Sequence, residues 1–148
     1  MDVVVEREVI VEREYSSAIH PLHAVLLAGT VPLFLGAMLS DIAYWSTYQI
    51  QWSNFASWLL VGALVFAGIA LLFAIVDLSV ARRRARGVGL YALVLAVTWI
   101  VGLFDAFMHA RDAWGSMPGG LVLSVVATVL ACVATWIGFR ARRIGDTR

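Results

Sequence analysis

The stretch SWLLVGALVFAGIALLFAIV, residues 57–76, runs for twenty positions without a charged side chain. At 1.5 Å per residue, a helix of that length covers about 30 Å, the hydrocarbon thickness of a bilayer. Working outward, this run extends over 57–80. Three others of similar length lie at 22–44, 88–109 and 118–139. The runs are continuous rather than alternating, which sets barrel strands aside. Inside lipid every backbone N–H must be bonded within its own segment, so the runs should be α-helices. The expected fold class is all-α, an integral membrane four-helix bundle with up-down-up-down topology.

Composition points the same way. Hydrophobic residues make up 61% of the 148 residues and charged residues 14%, against about 25% charged in a soluble domain. Mean hydropathy is +0.86. A soluble bundle of this make-up would lack the polar residues to coat itself. A single cysteine excludes a disulfide scaffold or a zinc ribbon. A net charge of +1 leaves no basic field for nucleic acid.

Arginine sets the expected direction, because the chain has no lysine. Arg82, Arg83, Arg84 and Arg86 fill the link between the second and third runs; Arg140, Arg142, Arg143 and Arg148 follow the fourth. The links at 45–56 and 110–117 hold only Arg111. The positive-inside rule then places both termini and this basic face in the cytoplasm, with the chain multi-pass in a bacterial inner membrane. Trp45, Trp52, Trp58 and Trp114, with Tyr44 and Tyr48, form an aromatic belt at the outer boundary. Three regions follow: an acidic cytoplasmic arm at 1–19, the bundle at 20–140 and a basic tail at 141–148. The arm repeats Val-Glu-Arg-Glu at 5–8 and 11–14 and lacks the basic start and cleavage site of a signal peptide.

Helix punctuation fits this layout. Pro21 suits a first helical turn with His20 before it as the cap position. Ser116 and Pro118 are expected to open the fourth helix, and Pro32 to kink the first. Small or weakly polar residues recur at helical spacing and mark the expected inward faces. These are Ala63, Ala67, Ala70 and Ala74 in the second run, and Ser124, Thr128, Ala131, Thr135 and Gly138 in the fourth. The first run aligns His20, His23, Leu27, Thr30, Phe34, Met38 and Asp41; the third aligns Tyr91, Thr98, Gly102, Asp105, His109 and Asp112. A period of 3.5 describes a left-handed bundle.

Packing does not account for the ionisable groups on these stripes. A charged aspartate at a helix centre costs about 3 kcal/mol on insertion scales. Asp41, Asp77 and Asp105 all sit in the C-terminal part of their helices, where the macrodipole also disfavours negative charge. A protonated or cation-paired carboxyl is expected for each. Depth sorts the polar residues into an inner layer of His20, His23 and Asp77 and an outer layer of Asp41, Asp105, His109 and Asp112. His23 and Asp41 lie five turns apart, about 27 Å along the axis, so His23 cannot share a haem with His109 inside one protomer. A b-type haem on a single histidine, or on His23 and its symmetry mate in a homodimer, stays open. So does a divalent metal on the inner set, whose two imidazoles and carboxylate suit a transition metal. Cys132 reads as a small core hydrophobe. No Walker loop, GxGxxG turn, nucleophile elbow, HExxH or CxxC is present, so no autonomous enzyme is expected.

Several strings carry a resemblance. His20-Pro21-Leu22-His23 opens the first span and Ser40-Asp41-Ile42-Ala43-Tyr44-Trp45 closes it; Ala56-Ser57-Trp58-Leu59 and Ala74-Ile75-Val76-Asp77-Leu78 bracket the second. Ala106-Phe107-Met108-His109-Ala110-Arg111-Asp112-Ala113-Trp114 closes the third. Together, over roughly 18–140, they resemble the bacterial four-helix membrane family catalogued as domain of unknown function 2231. The resemblance implies an inner-membrane protein. Some relatives are joined to Rieske-type redox domains, which points toward electron transfer, although these 148 residues hold no such domain. Three functions remain in view. One is a small membrane subunit supporting redox, metal or haem handling by a partner; the others are a proton- or ion-conducting module and a structural assembly protein.

Overall fold

The structure is a computed structural model that describes residues 20–80 and 86–143. The acidic arm and Arg82, Arg83 and Arg84 lie outside the described residues, as do the side chains of Arg86, Trp114, Arg142 and Arg143. The helices are α1 (Pro21–Thr47), α2 (Ile50–Val80), α3 (Arg86–His109), the short α4 (Ala113–Ser116) and α5 (Gly119–Arg143). All four long helices are long and apolar enough to cross a membrane. No more than 33% of the most apolar window of any of them is buried. The rest, including Val25, Leu72, Phe104, Val122 and Trp136, faces outward and needs an apolar solvent.

Four seams hold the bundle. Each steps by four and three residues, the 3.5 period of left-handed packing. In α1 the buried positions are His23, Leu27, Thr30, Phe34, Ala37, Asp41 and Tyr44. In α2 they are Ser53, Ala56, Leu60, Ala63, Ala67, Ala70 and Ala74. The α3 seam is Tyr91, Leu95, Thr98, Gly102, Asp105 and His109, and the α5 seam is Gly120, Ser124, Ala127, Ala131, Ala134 and Gly138. Two registers differ from the sequence reading. Ala37 takes the inward place in α1, leaving Met38 half-buried. Ala127 and Ala134 join the α5 seam, and Thr135 is only half-buried. In both cases alanine lets the neighbouring backbone come closer than Met or Thr would.

The helices form a ring in which α1 touches α2 and α5, and α3 touches α2 and α5. Volume is divided unevenly around it. Large side chains from α1 and α3 fill the axis, and small residues of α2 and α5 receive them. A Cβ at Gly138 would lie 2.7 Å from Leu27 and 2.8 Å from Tyr91. A Cβ at Gly102 would lie 2.9 Å from the Phe34 ring. Backbone carbonyls also serve as interhelical acceptors. The Trp99 indole N–H donates to Leu64 O at 3.1 Å, close over Gly68. Leu27 O accepts from Thr30 Oγ1 at 2.6 Å and from Thr135 Oγ1 at 3.4 Å. Pro32 follows one turn later on the exposed face, and α1 continues through it.

The ends differ from expectation in two respects. The link placed at 45–56 is a turn at Tyr48 and Gln49. Tyr48 has φ 53°, and its N–H bonds Tyr44 O at 2.7 Å, closing α1. The seam residues Ser53 and Ala56 continue the α2 stripe, so helix persists where the polar composition had suggested a loop. With 31 residues, α2 spans about 46 Å, longer than the roughly 30 Å of a bilayer's hydrocarbon. Pro118 precedes α5, its carbonyl accepting from Val122 N–H at 3.1 Å. Ser116 closes α4 instead, bonding Ala113 O at 2.7 Å. His20 stands at the cap position of α1 with Pro21 in the first turn.

Two glycine substitutions test the packing. Gly102→Ala should destabilise by about 1–3 kcal/mol, because the fully buried Phe34 ring cannot withdraw. Gly62→Ala should be neutral or stabilising by up to about 1 kcal/mol, since its Cβ would meet only Leu33 at an ordinary 3.5 Å. Thermal unfolding in detergent measures both.

Candidate functional site

The last turns of α1 and α3 face each other across the bundle axis. Asp41 enters from α1, and Asp105 and His109 are one turn apart on α3. All three sit on the inward seams, so their side chains have nowhere to go but the axis. His109 Nε2 lies 2.7 Å from Asp41 Oδ1. Its Nδ1–H donates to the Asp105 carbonyl at 3.0 Å, and Asp105 Oδ1 lies 3.2 Å from the same nitrogen. The His109 side chain is 1% exposed and both aspartates 0%.

The proton inventory follows from these partners. A carbonyl can only accept, so Nδ1 carries a proton. One further proton is held between Nε2 and Asp41, on whichever side it rests. The remaining oxygens are not provided for. Asp41 Oδ2 and Asp105 Oδ2 are buried with no hydrogen-bond partner, and Asp105 Oδ1 has only its 3.2 Å ion-pair contact with His109 Nδ1, whose hydrogen is directed to the carbonyl. Buried polar atoms are nearly always bonded, and an unbonded one costs about 1–3 kcal/mol, more when charged. Three at one point is a concentration of unspent acceptor capacity. One ligand atom from each of Asp41, Asp105 and His109 lies within 4.8 Å of the others.

Above this cluster opens a cavity of about 490 Å3. Gln51, Ser53, Asn54 and Ser57 of α2 form one wall, and Arg111 and Asp112 of the α3–α4 link form another. His109 forms part of its lining and joins it to the buried carboxylates. Asp112 is exposed and stands at the cap of α4 without a capping hydrogen bond. The edge of the His109 ring lies against Gly120, where a Cβ would come within 3.0 Å of Cε1. The α2 wall escaped the sequence reading because 45–56 read as a loop. The signal was there, since the alanine stripe extends back in register through Ala56 to Ser53.

The other polar residues gather at the opposite end. His23 is 2% exposed, with its Nε2 2.8 Å from the Tyr91 hydroxyl. His20 and His23 both stack on Phe73 of α2, at centroid distances of 5.9 and 5.4 Å. His20 is exposed and Asp77 half-buried. Among the described residues, the His, Cys, Asp and Glu atoms that converge closely enough for a metal are those of Asp41, Asp105 and His109. Arg140 is exposed and is the last residue of the fourth span. Cys132 is exposed on the outer face of α5 rather than buried as a core hydrophobe, because the seam passes through Ala131 and Ala134 on either side of it.

Two substitutions separate the parts of the cluster by sign. His109→Ala removes the partner of Asp41 and should destabilise the protein by about 3 kcal/mol or more. Asp105→Asn removes a carboxylate whose oxygens are unbonded and should leave thermal stability unchanged or raised in metal-free detergent solution.

Comparison with the curated proteins and with the solved structures returned no significant match. A family model does match: residues 19–143 fit the family described as "Predicted membrane protein (DUF2231)", which is most of the chain, and the protein therefore belongs to that family.

Proposed function

We propose that this multi-pass membrane protein holds a divalent transition-metal cation at Asp41, Asp105 and His109 and serves metal handling by a membrane partner. The observation that carries the reading is the group of three buried, unbonded carboxylate oxygens beside an imidazole already fixed through its other nitrogen. Metal-bound histidines usually donate their second N–H to a carbonyl or carboxylate, which sets the tautomer. Here Nδ1 has that partner, leaving Nε2 toward Asp41. Two carboxylates and a divalent cation sum to zero charge, the balance a buried site in a membrane favours. One imidazole with two carboxylates suits Mn2+, Fe2+ or Zn2+ better than Cu+ or Ca2+. In the present geometry a proton occupies the 2.7 Å contact. A cation with bonds near 2.1 Å would hold the same two atoms roughly 3.4 Å apart, so binding asks for a small side-chain adjustment.

The basic residues orient the site. The last residue of α2, the first of α3 and the end of α5 with Arg140 stand opposite the cavity; in the sequence Arg82, Arg83, Arg84, Arg86, Arg142 and Arg143 adjoin these ends, and the positive-inside rule assigns that side to the cytoplasm. The cavity then opens outside a bacterial cytoplasmic membrane. Haem fits less well, since His23 Nε2 meets Tyr91 and the His109 ring is buried between Asp41, Asp105 and Gly120, where a macrocycle has no room. Conduction is opposed by the fully buried Phe34, Leu60 and Leu95 between the two polar ends. The Thr30 and Thr98 hydroxyls there donate to their own helices. A second reading has an observation of its own: the Asp41–His109 bond ties α1 to α3, so the cluster could serve only as a brace.

Metal titration separates these readings. Chelator-treated protein in detergent is titrated with Zn2+, Mn2+ and Fe2+ against a fluorescent competitor. One ion per chain is expected, with Asp41→Asn and Asp105→Asn each weakening it at least tenfold. A folded protein that takes up no ion, or Asn variants that bind as tightly as wild type, would leave only the brace.

A further inference from the structure

The cavity above the cluster is built for more than a bare ion. A divalent cation with six waters, at roughly 30 Å3 per water, fills about 180 Å3. The cavity holds about 490 Å3, which lies in the range of small-molecule sites. Its charge is also wrong for a cation funnel. Cation pathways are lined by rings of Asp or Glu. Here the charged side chains above His109 are Arg111 and Asp112, which cancel. The rest of the polar lining consists of amides and hydroxyls, Gln51, Ser53, Asn54 and Ser57. Such walls bind a ligand rich in hydroxyl and carboxylate oxygens. The single guanidinium is the group that pairs with a carboxylate in two parallel hydrogen bonds.

We propose that the cation arrives as a complex with a small hydroxycarboxylate chelator. Arg111 and the α2 amides hold the chelator while Asp41, Asp105 and His109 take the metal from it. This rests on the metal reading above and goes further by naming the form in which the metal comes. The exchange is one of ligands and a proton: metal–oxygen bonds to the chelator break, bonds to the protein ligands form, the proton held between His109 Nε2 and Asp41 leaves to water in the cavity, and no electron is transferred. The chelator's freed carboxylate remains paired with Arg111 until it leaves through the cavity mouth. Arg111 is exposed, and its Nη1 has only a long 3.9 Å contact with Met108 Sδ, so recruiting it disturbs no packing.

Co2+ serves as a visible probe, because its absorption changes when water or citrate oxygens give way to a four-coordinate protein site. Full-length protein in detergent is mixed with Co2+ either as the aquo ion or with citrate in large excess, and loading is followed by stopped-flow absorbance. Arg111→Gln should slow loading from the citrate complex at least tenfold, whereas loading from the aquo ion should be no slower, since the variant leaves Asp112 as the charged group at the mouth. Asn54→Ala should act in the same direction but less strongly. A change of equal size for both sources, or none for either, overturns the chelator proposal while the metal site stands. Failure of wild type to load from either source overturns both. Arg111→Lys separates fork recognition from charge alone: loading from citrate should remain at least threefold slow, and full rescue would overturn the paired hydrogen bond.

Discussion

The contact of 2.7 Å between His109 and Asp41 joins two helices that are not neighbours in the ring. Lipid gives apolar faces no reason to associate, so a membrane bundle depends on close approach and on polar bonds between helices. Here α1 and α3 meet across the diagonal three times. His109 reaches Asp41 at one end, Phe34 seats on Gly102 in the middle, and His23 meets Tyr91 at the other end. The remaining helices accommodate that diagonal. The run of alanines in α2 and the Gly, Ser and Ala positions of α5 are what large groups on the axis require of the helices beside them. The two classes of residue are thus one arrangement, with size on one diagonal and the lack of it on the other.

The same division explains where chemistry can sit. Apart from Leu60 of α2, the large fully buried side chains come from α1 and α3, and every fully buried ionisable group among the described residues belongs to these two helices. This carries a thermodynamic cost. The unbonded oxygens of Asp41 and Asp105 draw on the stability that the diagonal contacts supply. A bundle built only to span a membrane would do better with Asn or Leu at Asp105. A group that weakens the fold where it stands, in a cluster with a histidine and beneath a polar cavity, is the expected signature of a site kept for binding.

Much of this was legible in the sequence because membrane depth and helical period are one-dimensional quantities. The four spans follow from run length, and the α2 stripe from Ala63 to Ala74 is buried at every position. Depth alone placed Asp41, Asp105 and His109 in one layer and His23 in another. Which of several small residues faces inward was harder to read. Met38 against Ala37, and Thr135 against Ala134, differ by one position, about 100° around the helix. Hydropathy hardly distinguishes them; the room left by the facing helix does. Pairing was less legible still. Nothing in the spacing of His23 indicates Tyr91, or in that of His109 indicates Asp41, because each bond depends on which helices stand diagonally. The α2 wall of the cavity was missed because a polar stretch between two apolar runs resembles a loop even when its helical register is unbroken.

Placement along the axis completes the physical argument. A charged group costs most at the bilayer midplane and much less toward the interface. The cluster stands in the last turns of α1 and α3, and the first turns of α2 wall the space above it. Burial at that depth excludes water from the carboxylates themselves, while the polar walls allow water and ligands to reach the histidine edge. Moved two turns inward, the same residues would meet Phe34, Leu60 and Leu95 and could exchange neither protons nor ions with solution. Moved one turn outward, they would be hydrated. The cluster is buried yet adjoins an open polar space through His109, and the extra N-terminal length of α2 supplies one wall of that space.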